Sequence, residues 1–212
     1  MTLFKLLSAL FEYPDEEMVR ALPELMTLVN AEPDIEPAER EAIAAFMNWL
    51  AECDLTEAQA RYVKSFDMTP EHALHLTHHL FGDDKNRGPA LIDLGEYYKS
   101  YGMEIEGNEL PDYLPLVLEF ASMLEPVEAR VFLDPFAKVI AQLGANLSAA
   151  ESPWAPLVRL IEARARLVPT AFVPEPQPVT ETICHDSECE SPVTWDAPMQ
   201  PAIQPITMHA AR

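Results

Sequence analysis

Apolar residues recur along this chain at the i, i+3, i+4, i+7 spacing that gathers them on one face of an α-helix, and this limits the fold more than any other feature. Leu3, Leu6, Leu7 and Leu10 set the pattern. It returns at Ile43, Phe46, Met47 and Leu50, then at Leu91, Leu94, Tyr98 and Tyr101. Later come Leu114, Val117, Leu118 and Ala121, the run from Phe132 through Phe136, Val139, Ile140 and Leu143 to Leu147, and finally Leu157, Leu160 and Ile161. Glycine is scarce, at 6 residues, and Val/Ile/Thr-rich runs joined by Asn-Gly or Asp-Gly turns are missing, so a sheet is not expected.

The punctuation suits helices. Pro14 and Pro70 stand where first turns begin. Asp54 and the Ser152-Pro153 pair supply N-cap chemistry. Gly82, Gly102 and Gly144 fall near apparent helix ends, where a left-handed residue is wanted. The fold class expected is all-α: a compact single-domain bundle of about eight or nine helices over residues 1–168. From Pro169 to Arg212 the periodicity vanishes, and Pro174, Pro176 and Pro178 impose an extended backbone. Residues 169–212 read as an extended or flexible Pro-rich acidic tail.

Charge narrows the partners. Fourteen Lys and Arg stand against thirty-five Asp and Glu, a net charge of −21, which repels nucleic acid and anionic lipid and favours a basic segment. The same acidity also serves solubility alone. No apolar stretch reaches the roughly 20 residues a bilayer requires. Met1 to Leu10 reads as a first helix rather than a signal peptide. Three cysteines make no disulfide framework, so a reducing cytoplasm is the expected location.

Residues that could carry chemistry are few. His72, His75, His78 and His79 are expected in one helix, with His75 and His79 at the i, i+4 spacing that can place two imidazoles on one metal. No glutamate completes an H-E-x-x-H pattern, and packing or surface roles serve these histidines equally well. Cys184, His185 and Cys189 offer a loose C-x4-C in the tail, while Cys53 reads as a small buried apolar group. The chain has no phosphate-cradling glycine loop and no nucleophile elbow. Neither an enzymatic activity nor a cofactor is expected.

The richest stretch is 78–124. His-His-Leu-Phe-Gly-Asp-Asp-Lys-Asn-Arg-Gly leads into a helix, followed by Gly102-Met103-Glu104-Ile105-Glu106, Asn108-Glu109-Leu110-Pro111-Asp112-Tyr113-Leu114-Pro115, and a second helix. Glu104, Glu106, Glu109 and Asp112 concentrate negative charge beside Tyr101, Met103 and Tyr113. An acidic rim around an apolar surface suits capture of a basic amphipathic helix. An ordinary inter-helix connection with solvated acids fits the same residues.

At these residues the chain resembles the delta subunit, or molybdenum cofactor assembly chaperone, of respiratory nitrate reductase. The likeness starts at Leu10-Phe11-Glu12-Tyr13-Pro14-Asp15 and runs through Ala58-Gln59-Ala60-Arg61-Tyr62. It is strongest at His79, Gly82, Arg87-Gly88, Asp93, Tyr98, Gly102, Leu110-Pro111-Asp112, Leu114-Pro115-Leu116 and Glu119. Phe81 departs from it, standing where members often have a second histidine.

The resemblance implies an all-α redox enzyme maturation protein that binds the N-terminal segment of an immature catalytic alpha subunit. Such a protein keeps that subunit competent for molybdenum cofactor insertion before membrane attachment. Relatives serving chlorate, dimethyl sulfide or hydrocarbon oxidoreductases leave the client's substrate open. A metal-binding or redox protein using the histidines and tail cysteines is the rival expectation. The residues expected to meet the peptide are His79, Arg87, Asp93, Tyr98, Tyr101, Glu104, Glu106, Glu109, Asp112, Tyr113, Leu114, Val117 and Glu119. Tyr98, Tyr101, Leu114 and Val117 would supply the apolar floor, and Glu104, Glu106, Glu109 and Asp112 the charges.

Overall fold

The structure is a computed structural model that describes residues 2–105 and 109–165. The boundary at 168, the tail, Cys184, His185, Cys189 and Glu106 lie outside the described residues. Within them the chain is all-α: α1 (Leu3–Leu10), α2 (Glu16–Ala31), α3 (Pro37–Glu52), α4 (Leu55–Tyr62), α5 (Leu76–Phe81), α6 (Arg87–Ser100), α7 (Leu114–Ala121), α8 (Pro126–Leu133), α9 (Ala137–Ala149) and α10 (Ala155–Ala165). A π-helical turn, Val63–Asp67, extends α4, and short 3₁₀ turns cover Pro70–His72 and Asp134–Phe136. None of these helices is long and apolar enough to cross a membrane.

α7 and α1 form the centre. Leu114, Pro115, Val117, Leu118, Phe120 and Ala121 of α7 are all buried, as expected of a helix apolar on nearly every side. α1 lays Leu3, Leu6, Leu7 and Leu10 against it, and the buried Ser8 hydroxyl donates to the Pro115 carbonyl at 2.8 Å. Burying each such leucine contributes about 1.5–3 kcal/mol. Ile43, Phe46, Met47 and Leu50 of α3 join the same core. Trp154 packs against Phe46, Trp49, Tyr62 and Phe66, with ring centroids 5.3–5.7 Å apart, and its indole N–H donates to the Leu10 carbonyl.

Helix ends follow local rules, with three departures from the sequence reading. Asp15, one residue after Pro14, caps α2 by accepting from the Met18 N–H, and Asp54 caps α4 from the Glu57 N–H. Ser152 receives the Ala155 N–H on its backbone carbonyl, and its hydroxyl caps nothing. Gly144 is not at a helix end. It sits inside α9, where a Cβ would come within 3.3 Å of Val158 in α10, so its purpose is the close approach of those two helices. At the start of α3, Glu39 closes a capping box with Glu36 and accepts a two-pronged ion pair from Arg164 of α10, at 2.8 and 2.6 Å. Burial alone would raise the Glu39 carboxyl, but the Arg164 and Glu36 donors outweigh it and hold it below its usual range.

Candidate functional site

The segment from Leu74 to Leu114 begins and ends at one point. His75 and Tyr113 form an isolated antiparallel bridge, with the Leu76 N–H donating to the Asp112 carbonyl at 3.0 Å and the Leu114 N–H to the Leu74 carbonyl at 2.8 Å. His75 is therefore extended, at the N-cap of α5, and His72 closes a 3₁₀ turn. Only His78 and His79 are helical, so the expected i, i+4 imidazole pair does not form. His79 instead meets the Ala73 carbonyl through Nε2 at 2.8 Å. Among the described residues no group of three or more His, Cys, Asp or Glu could hold a metal ion. Cys53 is only partly buried, against the core edge.

Asp112 is fully buried at this junction. Its Oδ2 accepts from the Thr77 N–H at 3.0 Å and from the Thr77 hydroxyl at 2.5 Å, with Arg87 Nη2 at 3.7 Å. Arg87 Nε donates to Thr77 Oγ1 at 3.1 Å, and His75 Nδ1 lies 3.4 Å from Asp112 Oδ1. Burial works to raise the Asp112 carboxyl, yet the neighbouring His75 and the Thr77 donors hold it below its ordinary value. The Arg-Gly and Leu-Pro-Asp motifs thus converge on one buried clasp. Tyr98 adds to it, its hydroxyl donating to the Pro111 carbonyl at 2.7 Å.

These contacts correct part of the expected peptide floor. Tyr98, Leu114 and Val117 are 0% exposed and belong to the core, and Asp112 is an internal carboxylate rather than a rim charge. A period-3.6 stripe shows that a face is covered, not by what. Arg87 is engaged in the same clasp. Glu119 pairs with Lys5 across α7 and α1.

What remains outward is α6. Its one fully buried side chain is Tyr98, while Ile92 is 67% exposed and Tyr97 and Tyr101 are also open to solvent. A cavity of about 490 Å³ lies along one flank, floored by Leu91, Ile92, Met103, Ile105 and Pro111 and edged by Glu96, Glu104 and Lys99. Lys99 is engaged by Glu96 at 2.8 Å, leaving Glu104 as the open acid of that edge. A second cavity of about 450 Å³ on the opposite flank is lined by Leu80, Phe81, Leu94, Tyr97, Val131 and Phe132, with Asp93 at its margin. Leu80, Ile92, Tyr97 and Val131 escaped the sequence reading. The available signal was that Leu91, Ile92, Leu94, Tyr97, Tyr98 and Tyr101 spread over more than half of the helix circumference, more apolar surface than one core face can cover.

Beyond the bridge, Tyr113 continues toward α1. Its hydroxyl lies 3.1 Å from that of Tyr62 and 3.5 Å from Glu12 Oε2, and Tyr62 donates to the Phe11 carbonyl at 2.9 Å. Partial desolvation, then repulsion from Glu109 and Glu119, raises the Glu12 carboxyl. Negative charge is therefore concentrated where residues 11–13 meet residues 109–119.

Comparison with known proteins agrees with this architecture. The nitrate reductase delta subunit family model matches residues 32–159. The nitrate reductase molybdenum cofactor assembly chaperone NarJ of Escherichia coli K12 is 32% identical over 192 residues, 91% of this chain and 79% of that protein. A probable chaperone of the same name from Bacillus subtilis is 31% identical over 160 residues, covering 76% and 86%. The crystal structure of a putative redox enzyme maturation protein from Archaeoglobus fulgidus shares the fold, with a TM-score of 0.56 at 21% identity over 76% of this chain and 90% of that one. These relatives are named for assembly and maturation rather than for catalysis. By residues matched and by identity, the chain belongs to the nitrate reductase delta subunit family.

Proposed function

We propose that this chain is a maturation chaperone for a nitrate-reductase-like molybdoenzyme, and that it performs no catalysis itself. It binds the N-terminal segment of the immature catalytic alpha subunit in the cytoplasm, keeping that subunit open for molybdenum cofactor insertion before membrane attachment. The kinship with assembly chaperones supports the general role. The client-binding surface rests on one observation: α6 carries exposed Ile92, Tyr97 and Tyr101 between two apolar-floored cavities with acidic margins.

An amphipathic client helix would lay its apolar side on Ile92, Tyr101 and Met103. Its Lys or Arg would face Glu104 and Glu109, while Asp93 would serve the opposite flank. Each well-buried apolar side chain contributes about 1.5–3 kcal/mol. Each exposed ion pair adds about 0–1 kcal/mol and acts mainly on orientation and association rate. Affinity should therefore weaken with salt and persist at high salt. Calorimetric titration of a client N-terminal peptide at low and high salt tests this. Absence of binding in both conditions removes the peptide reading, and peptides from chlorate or dimethyl sulfide enzymes tell which client class is preferred.

A further inference from the structure

A separate cleft of about 170 Å³ opens between the segment after α4 and the turn joining α9 to α10. Arg61, Lys64 and Ser65 enter it from α4 and its π-helical extension, Thr69 and His72 from the next segment, and Ser152 from the turn. The π turn is closed by the Met68 N–H on the Val63 carbonyl at 3.0 Å. Single π turns inside helices gather at functional positions, because the extra residue re-aims the side chains that follow.

Two observations point to a ligand. His72 and Ser152 are each 8% exposed, and among the described residues neither His72 Nδ1 nor Ser152 Oγ, both buried, has a hydrogen-bond partner. Native proteins seldom leave such groups unmet, and an oxygen-bearing group at this wall would satisfy both. The second is charge. In a chain of net charge −21, this wall brings Lys64 and Arg61 together with Ser65 and Ser152, and with Thr69, whose hydroxyl already donates to the Lys64 carbonyl at 2.9 Å. Arg61 gives Nε and Nη2 to Glu57, and among the described residues Lys64 has no such carboxylate partner. Glu151 is the acid of the lining and opposes an anion. The nearby end of α9 does so less, because the Ala150, Glu151 and Ser152 N–H groups already occupy its Asn146, Ser148 and Leu147 carbonyls.

We propose that this cleft binds a tetrahedral oxyanion of the phosphate class, with Lys64 and Arg61 supplying charge and Ser152 and His72 the inner hydrogen bonds. Its volume takes the anion itself, so any larger molecule carrying the group must leave the rest outside.

Thermal unfolding of the full chain in inorganic phosphate, against chloride at equal ionic strength, tests the site. At a phosphate concentration a hundredfold above Kd the midpoint should rise by roughly 5–10 °C, with no comparable rise in chloride. Lys64→Gln and Ser152→Ala should each weaken phosphate binding about tenfold or more, and the His72 ring resonances should move on titration. A nucleoside diphosphate run alongside distinguishes a free ion from a phosphate borne by a larger molecule. Either result, with the same dependence on Lys64 and Ser152, supports the site. A rise equal in chloride, or one undiminished in both variants, overturns it. Client-peptide affinity should be unchanged in both variants, which separates this outcome from that of the α6 surface.

Discussion

Removing the Asp112 carboxylate should destabilise the protein far more than removing a rim charge. In Asp112→Ala the buried Thr77 N–H and hydroxyl lose their acceptor, and Arg87 loses its counter-charge. Hydrogen bonds to a charged group are worth about 1.5–3 kcal/mol each, and removing one partner of a buried ion pair costs about 3–5 kcal/mol in total. These are overlapping descriptions of one loss, so about 3–5 kcal/mol is expected, or a fall in Tm of roughly 6–20 °C for a chain of this size. Asp112→Asn keeps one acceptor for Thr77 and should cost about 1–2 kcal/mol. Urea unfolding of Asp112→Ala, Thr77→Val and the double variant gives the coupling, expected at about 1–3 kcal/mol. The pH dependence has a definite sign. The folded carboxyl titrates below its ordinary 3.8, so its contribution is complete above that pH and is lost as the pH falls through the lower folded value. Wild type should therefore lose stability below about pH 4 more steeply than Asp112→Asn. If Asp112→Ala unfolds within about 1 kcal/mol of wild type, or adds independently to Thr77→Val, the clasp is not an energetic unit.

The α9–α10 contact predicts that Gly144→Val destabilises by about 1–3 kcal/mol through crowding of Val158, while Gly144→Ala stays near neutral because helix propensity offsets the tighter contact; chemical denaturation measures both. Arg164→Ala should cost about 2–3 kcal/mol by stranding the largely buried Glu39, and a loss that disappears in high salt would refute this. Tyr98→Phe should cost about 1 kcal/mol, the net worth of its bond to the Pro111 carbonyl, with little change in helical circular dichroism. For the client surface, Ile92→Ala should weaken peptide binding about tenfold without lowering Tm, since that side chain is two-thirds exposed; an unchanged Kd by calorimetry would place the peptide elsewhere.

The helical class was legible because leucines three and four apart have little other use, and Leu3 to Leu10 and Ile43 to Leu50 are core as their spacing implies. The capping role of Asp54 was legible too, since capping is settled within four residues. The site was less so. Tyr98, Leu114 and Val117 follow the same period as any buried stripe, and only tertiary contacts tell core from docking face. Asp112 sits in an acid-rich segment that looks solvated, but its partner Thr77 is 35 residues away, and no local pattern reports it. The local spacing predicts a helix through His75, but the bridge that extends it is made by the distant Tyr113. Gly144 looked like a terminator because the demand for a bare Cα comes from another helix.

The small His75–Tyr113 stitch has a kinetic consequence. Because it clips together the two ends of the 76–112 excursion, an opening of α5 and α6 would leave the register of α1 and α7 in place. Amide protons along α6 should then exchange through openings that part Tyr97, Tyr98 and Tyr101 from Phe120 and Phe132, while those of α7 wait for global unfolding. On the client surface proposed for α6, a segment clipped in this way would adapt to a guest while α1 and α7 keep their places.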